Sequence, residues 1–331
     1  MRLSCPTHCA ALIAALTLAA CGNDEAGNTP IELKFGHVGA PGSLFAISAE
    51  EFARRVNDRL GDRVKVVVFG SSQLGGDEVL LQKLKLGTID FALPSTIMSS
   101  LVEPFGLFDM PYLVKDRAHM GRIEREIFWP DLHPLARERG YEVLAIWENG
   151  FRHITNNRRP ITVPSDLHGI KLRTPRGVWR VKMFQVLGAN PTPMPLSEVF
   201  IALQTGVMDG QENPLAQIVS SKLHEVQSYL SLTSHVYTPA YVTVGTDKWA
   251  KLPEDMRDIL REIAQETQAF VYATAARMDR ELRDELRDSG VAINEPDLES
   301  FVTASRAVYD EFAATVPGGK ELIDHALALA N

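Results

Sequence analysis

Residues 254–288 read EDMRDILREIAQETQAFVYATAARMDRELRDELRD, a run without glycine or proline that follows Pro253 and ends at Ser289-Gly290. A proline at the start and a glycine past the end are the punctuation of a helix. Met256, Ile259, Leu260, Ile263, Phe270, Val271, Met278, Leu282 and Leu286 recur at spacings of three, four or seven, which gathers them on one stripe. At 1.5 Å per residue one such helix would run about 50 Å, the length of a whole two-lobe molecule. Two other readings compete: two helices broken near Ala273 to Ala276, or a dimeric coiled coil. Charges on the exposed face are dense enough to keep it solvated without a partner, which favours an unbroken helix spanning both lobes.

Outward from this helix, the chain alternates short β-branched runs with helical stretches. Ile31 to Gly36, Ser43 to Leu60, Val64 to Phe69, Asp77 to Leu86 and Ile89 to Leu93 follow a β-α-β-α-β order. In the first of these helices Phe45, Phe52, Val56 and Leu60 share a face while Glu51, Arg54, Arg55 and Asp58 lie elsewhere, as in a helix packed on a sheet. A second set comprises strands at Val143 to Trp147 and Ile170 to Arg173, a helix across Val178 to Leu187, an extended stretch at Asn190 to Met194, and a helix across Leu196 to Gln204. Two such groups predict two α/β lobes with mainly parallel sheets.

At the N-terminus, Arg2 precedes an apolar run from Ala10 to Ala20 that is too short for a permanent membrane helix and reads as a signal peptide. The run ends in Leu18-Ala19-Ala20-Cys21, which resembles the lipobox at which bacterial lipoproteins are cleaved and acylated on the new N-terminal cysteine. An ordinary secretory peptide with a chance cysteine is the alternative. Gly22 to Thr29 reads as a flexible tether. Cys5 and Cys9 fall inside the removed peptide and Cys21 would carry lipid, so no thiol remains for a disulfide, redox pair or metal site. The mature domain must fold on its core alone, and about 300 residues suffice for that. The full chain carries a net charge of −8 and shows no basic stripe with interleaved aromatics, which argues against a nucleic-acid partner.

Enzymatic signatures are absent: there is no Gly-x-Ser-x-Gly, His-Glu-x-x-His or Gly-Lys-Ser/Thr loop. The histidines show no metal-binding spacing, the nearest pair being His224 and His235 on different predicted elements. Gly70-Ser71-Ser72-Gln73-Leu74-Gly75-Gly76 joins a strand to a helix; it is either an anion cradle at a helix N-terminus or, more simply, a tight turn needing glycine's backbone freedom. In Ile170-Lys171-Leu172-Arg173, alternation turns Arg173 away from Ile170 and Leu172 at the strand's C-terminal end, before Thr174-Pro175. Ligands of open α/β sheets bind outside such ends, where a guanidinium fork can take a carboxylate. A surface ion pair is the competing reading for Arg173, and equally for Arg152 in Glu148-Asn149-Gly150-Phe151-Arg152-His153. Asn213 before Pro214 also fits a helix N-cap.

Taken together, these segments resemble the substrate-binding proteins (DctP family) of tripartite ATP-independent periplasmic (TRAP) transporters along nearly all of the mature sequence. The likeness rests on Ser71-Ser72-Gln73-Leu74-Gly75, Glu148 to Arg152, Gly169 to Pro175, Gly188-Ala189-Asn190-Pro191-Thr192-Pro193-Met194, and Ser197-Glu198-Val199-Phe200 running through Ala202-Leu203-Gln204 to Asp209-Gly210-Gln211-Glu212-Asn213-Pro214. It implies an α/β, two-lobe periplasmic binding protein-like (type II-like) fold with a long helix spanning both lobes. The implied division is 1–20 signal peptide, 21–30 lipid-anchored tether, 31–149 with about 239–278 as lobe I, and 150–238 with about 279–331 as lobe II. It also implies a non-enzymatic, monomeric protein without cofactor or metal, in the periplasm or on the outer face of the cytoplasmic membrane, where the lipobox-like motif at Cys21 would supply a lipid anchor. Such a protein would hand a small organic acid to a small and a large membrane subunit for ion-gradient-driven uptake.

The family's carboxylate-clamping arginine falls on Arg173, its second arginine contact on Arg152 and its amide contact on Asn213. Glu78, Ser95, His37 and Phe200 fall at positions that vary with substrate. Glu78 weighs against a second ligand carboxylate, favouring a hydroxylated or sugar acid over a C4-dicarboxylate. Two rivals stay open on sequence: a lipid-anchored enzyme using Glu78, His37 or Asp77 as base or nucleophile, and a sensor module presenting the acid to a receptor.

Overall fold

A computed structural model describes residues 30–330; the segment read as a signal peptide, Cys21 and nearly all of the stretch read as a tether lie outside the described residues. The strands are β1 (Ile31–Gly36), β2 (Val64–Phe69), β3 (Phe91–Ala92), β4 (Tyr141–Phe151), β5 (His153–Asn156), β6 (Lys171–Thr174), β7 (Asn190–Pro193), β8 (Gly210–Asn213), β9 (Tyr229–Ser231), β10 (Tyr237–Gly245) and β11 (Ala292–Asn294). They form two sheets, ordered β2-β1-β3-β10-β4 and β11-β9-β5-β8-β6-β7.

The β-α-β-α-β reading of residues 31–93 matches the parallel pairing of β1 with both β2 and β3. The expectation of mainly parallel sheets needs correction, because β10 lies antiparallel between β3 and β4 and β5 lies antiparallel between β8 and β9. β10 carries no alternation to mark it: all its residues are buried, as expected of a central strand covered on both faces.

The two sheets share their longest strand path, since β4 of the first continues through Arg152 into β5 of the second. The helix Glu254–Asp288 is continuous and forms the other large link. Its Met256, Leu260, Ile263, Ala264, Val271, Ala275 and Met278 join the larger hydrophobic cluster, and Leu286 is buried in the smaller one around Val199, Leu203, Ile218 and Leu230. Trp147 on β4 donates its indole N–H to Ala264 O at 2.9 Å, fixing the helix against the first sheet. Phe52, placed by the spacing of helix Leu44–Leu60, packs against Phe35, Phe91 and Trp147 with ring centroids 5.4–6.0 Å apart. Burying a side chain of this size contributes about 1.5–3 kcal/mol.

The final helix is fixed by hydrogen bonds to residues 119 and 122. Gly319–Ala328 docks on first-lobe segments, where His119 Nε2 bonds Ala326 O at 2.8 Å and Arg122 Nε donates to Leu329 O at 2.6 Å. An amphipathic stripe shows that a helix is covered but not by which lobe.

Candidate functional site

A cavity of about 300 Å³ lies between the sheets, at the C-terminal ends of β1, β3, β6 and β8. Its walls include Asp77, Glu78 and Ser95 from the first lobe and Arg173, Arg176, Met194 and Asn213 from the second, with Asn149 and Arg152 at the crossover. Five of the seven residues expected at a site (Arg173, Arg152, Asn213, Glu78 and Ser95) therefore line one space.

His37 and Phe200 do not line it. His37 is buried beneath the 70–76 turn, its ring so close to Gly70 that a Cβ there would lie 2.8 Å from it. Burial lowers its imidazole to about 4, so it stays neutral. Phe200 packs at the edge of the smaller hydrophobic cluster. The resemblance places both near the site but does not give their direction.

Arg173 is 3% exposed, and both Nε and Nη2 donate to the single backbone carbonyl of Met194, the former at 2.8 Å. No carboxylate among the described residues pairs with it. Burial, only partly offset by Glu212, pulls the guanidinium down to about 9, the mark of a cation short of a partner. The surface ion pair considered for Arg173 is thus not what the structure shows.

Arg152 is equally buried but already compensated. Its Nε and Nη2 fork onto Glu212, Nη2 reaching Oε1 at 3.0 Å, and Nη2 also donates to Asn213 Oδ1 at 3.0 Å. Asn213 Nδ2 donates to Gln211 Oε1 at 2.6 Å, so its side chain is fixed by neighbours and caps no helix; Pro214 holds the N-cap position of Leu215–Ser220. Ser95 Oγ donates to Pro239 O at 2.7 Å and accepts from Asn149 Nδ2 at 3.2 Å.

Behind the cavity lies an ionic network that the sequence reading missed. Glu212 also accepts from Arg180 Nη1 at 3.0 Å and pairs with His235 Nε2 at 3.1 Å, while Arg180 Nη2 donates to Asp109 Oδ1 at 2.7 Å. Burial opposes ionisation of Glu212, but Arg152 and Arg180 together outweigh it and hold its carboxyl far below the ordinary range. Burial takes His235 down to about 4 against the pull of Glu212; the neutral ring then donates from Nε2 and accepts Thr233 Oγ1 at Nδ1, 2.8 Å away. Glu212 and Asp109 thus bond Arg152 and Arg180 directly, leaving Arg173 as the buried arginine with no carboxylate bonded to it; Asp77 attracts it only from across the cavity. Arg180 was legible only as one of two cations, with Lys182, in the otherwise uncharged helix Val178–Val186.

Across the cavity, Asp77 opens helix Asp77–Lys85 and has a buried, unpartnered Oδ1. Burial raises its carboxyl to about 6 despite the attraction of Arg173. The 70–76 stretch is a turn, with Ser71 and Ser72 left-handed at φ 52° and 58° and tied to Gly39 O and His37 O.

A concave cleft between two α/β lobes, with a buried guanidinium to which no carboxylate of the described residues is bonded, has the geometry of a site that takes a carboxylate. The family described as bacterial extracellular solute-binding protein, family 7 (DctP), matches residues 35–315, and the chain belongs to it, as a periplasmic solute-binding protein of the TRAP transporter class. It is 33% identical over 294 residues (88% of this chain and 90% of the relative) to the 2,3-diketo-L-gulonate-binding periplasmic protein YiaO of Escherichia coli strain K12. The sugar acid binding protein DctPAm of Advenella mimigardefordensis strain DPN7T, solved with galactonate, superposes with TM-score 0.87 at 33% identity, covering 91% of this chain and 98% of that one. A TRAP periplasmic solute-binding protein of Sulfurospirillum deleyianum DSM 6946 with bound succinate gives TM-score 0.86 at 32% identity, covering 90% and 99%.

Proposed function

We propose that this chain captures a hydroxylated or sugar monocarboxylate and delivers it to TRAP membrane subunits for ion-gradient-driven uptake. The observation that carries the ligand class is the charge count. Among the described residues Arg173 is the buried arginine bonded to no carboxylate, and the facing wall presents Asp77 and Glu78, which accept hydroxyl donors and repel a second carboxylate. The ligand's carboxylate takes the place of the missing partner on Arg173, with Arg152 Nη1 and Asn213 beside it. Relatives solved with galactonate, D-erythronate and L-galactonate support the class, and those with succinate make the dicarboxylate alternative concrete.

In the same reading, 31–149 with about 239–278 moves as one lobe and 150–238 with the segment after 279 as the other, the last helix travelling with the first. The mature chain is a monomer held in the periplasm by lipid on Cys21.

A melting-temperature screen of the mature protein against organic acids identifies the ligand, because one that binds only the native state stabilises it. Arg173→Ala then weakens that ligand by about 2–5 kcal/mol in calorimetry, much of it from leaving a buried carboxylate unpaired. Undiminished affinity in this variant would refute the reading.

A further inference from the structure

The cavity holds a second cation besides Arg173 that is free of the buried network. Arg176 lies just beyond β6, and its Nη1 stands 3.3 Å from Oε2 of Glu78, which belongs to the helix on the opposite lobe. Both residues line the cavity and both side chains are about half exposed, at 56% and 53%. Arg173 and Arg176 are therefore two guanidiniums on one wall, the arrangement a dicarboxylate would use, but Glu78 occupies the second.

We propose that Glu78 is a specificity-determining residue: by pairing with Arg176 across the cleft it denies the site a second carboxylate position and selects monocarboxylates. This rests on the reading that Arg173 takes the ligand's carboxylate. A half-exposed ion pair binds weakly in itself, so Glu78 does not lock Arg176 away. Its action is electrostatic. A second ligand carboxylate reaching Arg176 must approach the Glu78 carboxylate as well, with Asp77 next to it, and like charges brought together in a cleft discriminate strongly between partners. A ligand hydroxyl in the same place meets an acceptor instead.

The test compares succinate and galactonate affinities by calorimetry in wild type, Glu78→Gln, Arg176→Gln and the double variant. In Glu78→Gln the ratio of succinate to galactonate affinity rises by about tenfold or more, and adding Arg176→Gln abolishes the gain. An unchanged ratio overturns the proposal. That includes the case in which both ligands weaken alike, which would make the pair a latch between lobes. A gain that survives in the double variant also overturns it, since Arg176 would then not be the second carboxylate's partner. Failure of the underlying reading is separately visible, as Arg173→Ala would then keep wild-type affinity.

Discussion

Asp77 and Arg173 face one cavity from opposite lobes, and each is held in an unfavourable state that a ligand would relieve. Arg173 is a cation short of a carboxylate; Asp77 is a carboxylate short of a donor, raised from 3.8 to about 6 by burial. Between those two values the native state keeps a proton that the unfolded chain has lost, so stability falls as pH rises through that window. Asp77→Asn removes the penalty. The variant should melt above wild type at pH 7, by about 2–3 kcal/mol of unfolding free energy, with the gap closing at pH 3.5. The same substitution should weaken a polyhydroxy acid by about 1–3 kcal/mol, because a charged acceptor is lost. A variant that is no more stable at pH 7 would mean that Asp77 already has its proton donor. From sequence, Asp77 stands only as an enzymatic base or nucleophile, since residue type does not reveal that Oδ1 is buried without a partner.

Secondary structure was legible wherever periodicity outweighed context. The helix Glu254–Asp288 matches its sequence bounds at both ends, and of the stripe that predicts it Ile259, Phe270 and Leu282 are half-buried and the rest buried. β10 was not legible, because a strand buried on both faces shows no alternation, and neither was the docking of the last helix. At the site the motifs pointed to Arg173, Arg152 and Asn213, but the partners that fix them, Glu212 and Met194 O, are contacts between elements distant in sequence. The long helix lends itself to a direct test at Ala273, which is exposed and lies at the segment where a break was conceivable. Ala273→Gly should cost about 1 kcal/mol and Ala273→Pro about 3 kcal/mol or more, since proline removes a backbone donor and clashes with the preceding turn. Urea unfolding measures both. Equal, negligible costs would show two independent helices meeting there.

At the scale of the molecule, three connections hold the lobes in register: the β4–β5 crossover, the long helix, and the charge network behind the cavity. The crossover meets the cavity at Asn149 and Arg152, and the charge network backs that same wall. Glu212 on β8 binds Arg152 at the crossover and Arg180 on helix Val178–Val186, and Arg180 reaches Asp109 in the first-lobe segment Glu103–Asp109. Removing one partner of a buried ion pair leaves its counter-charge uncompensated, so Glu212→Gln should cost about 3–5 kcal/mol at pH 7. The pH dependence fixes the cause. Because the folded carboxyl titrates far below its unfolded value of 4.5, Glu212 contributes fully above that value, and its contribution shrinks as pH falls toward the folded pKa. Melting curves of wild type and variant should therefore converge as the pH is lowered from 5 toward 3. A constant gap across that range would mean that Glu212 acts by packing and hydrogen-bond geometry rather than by charge.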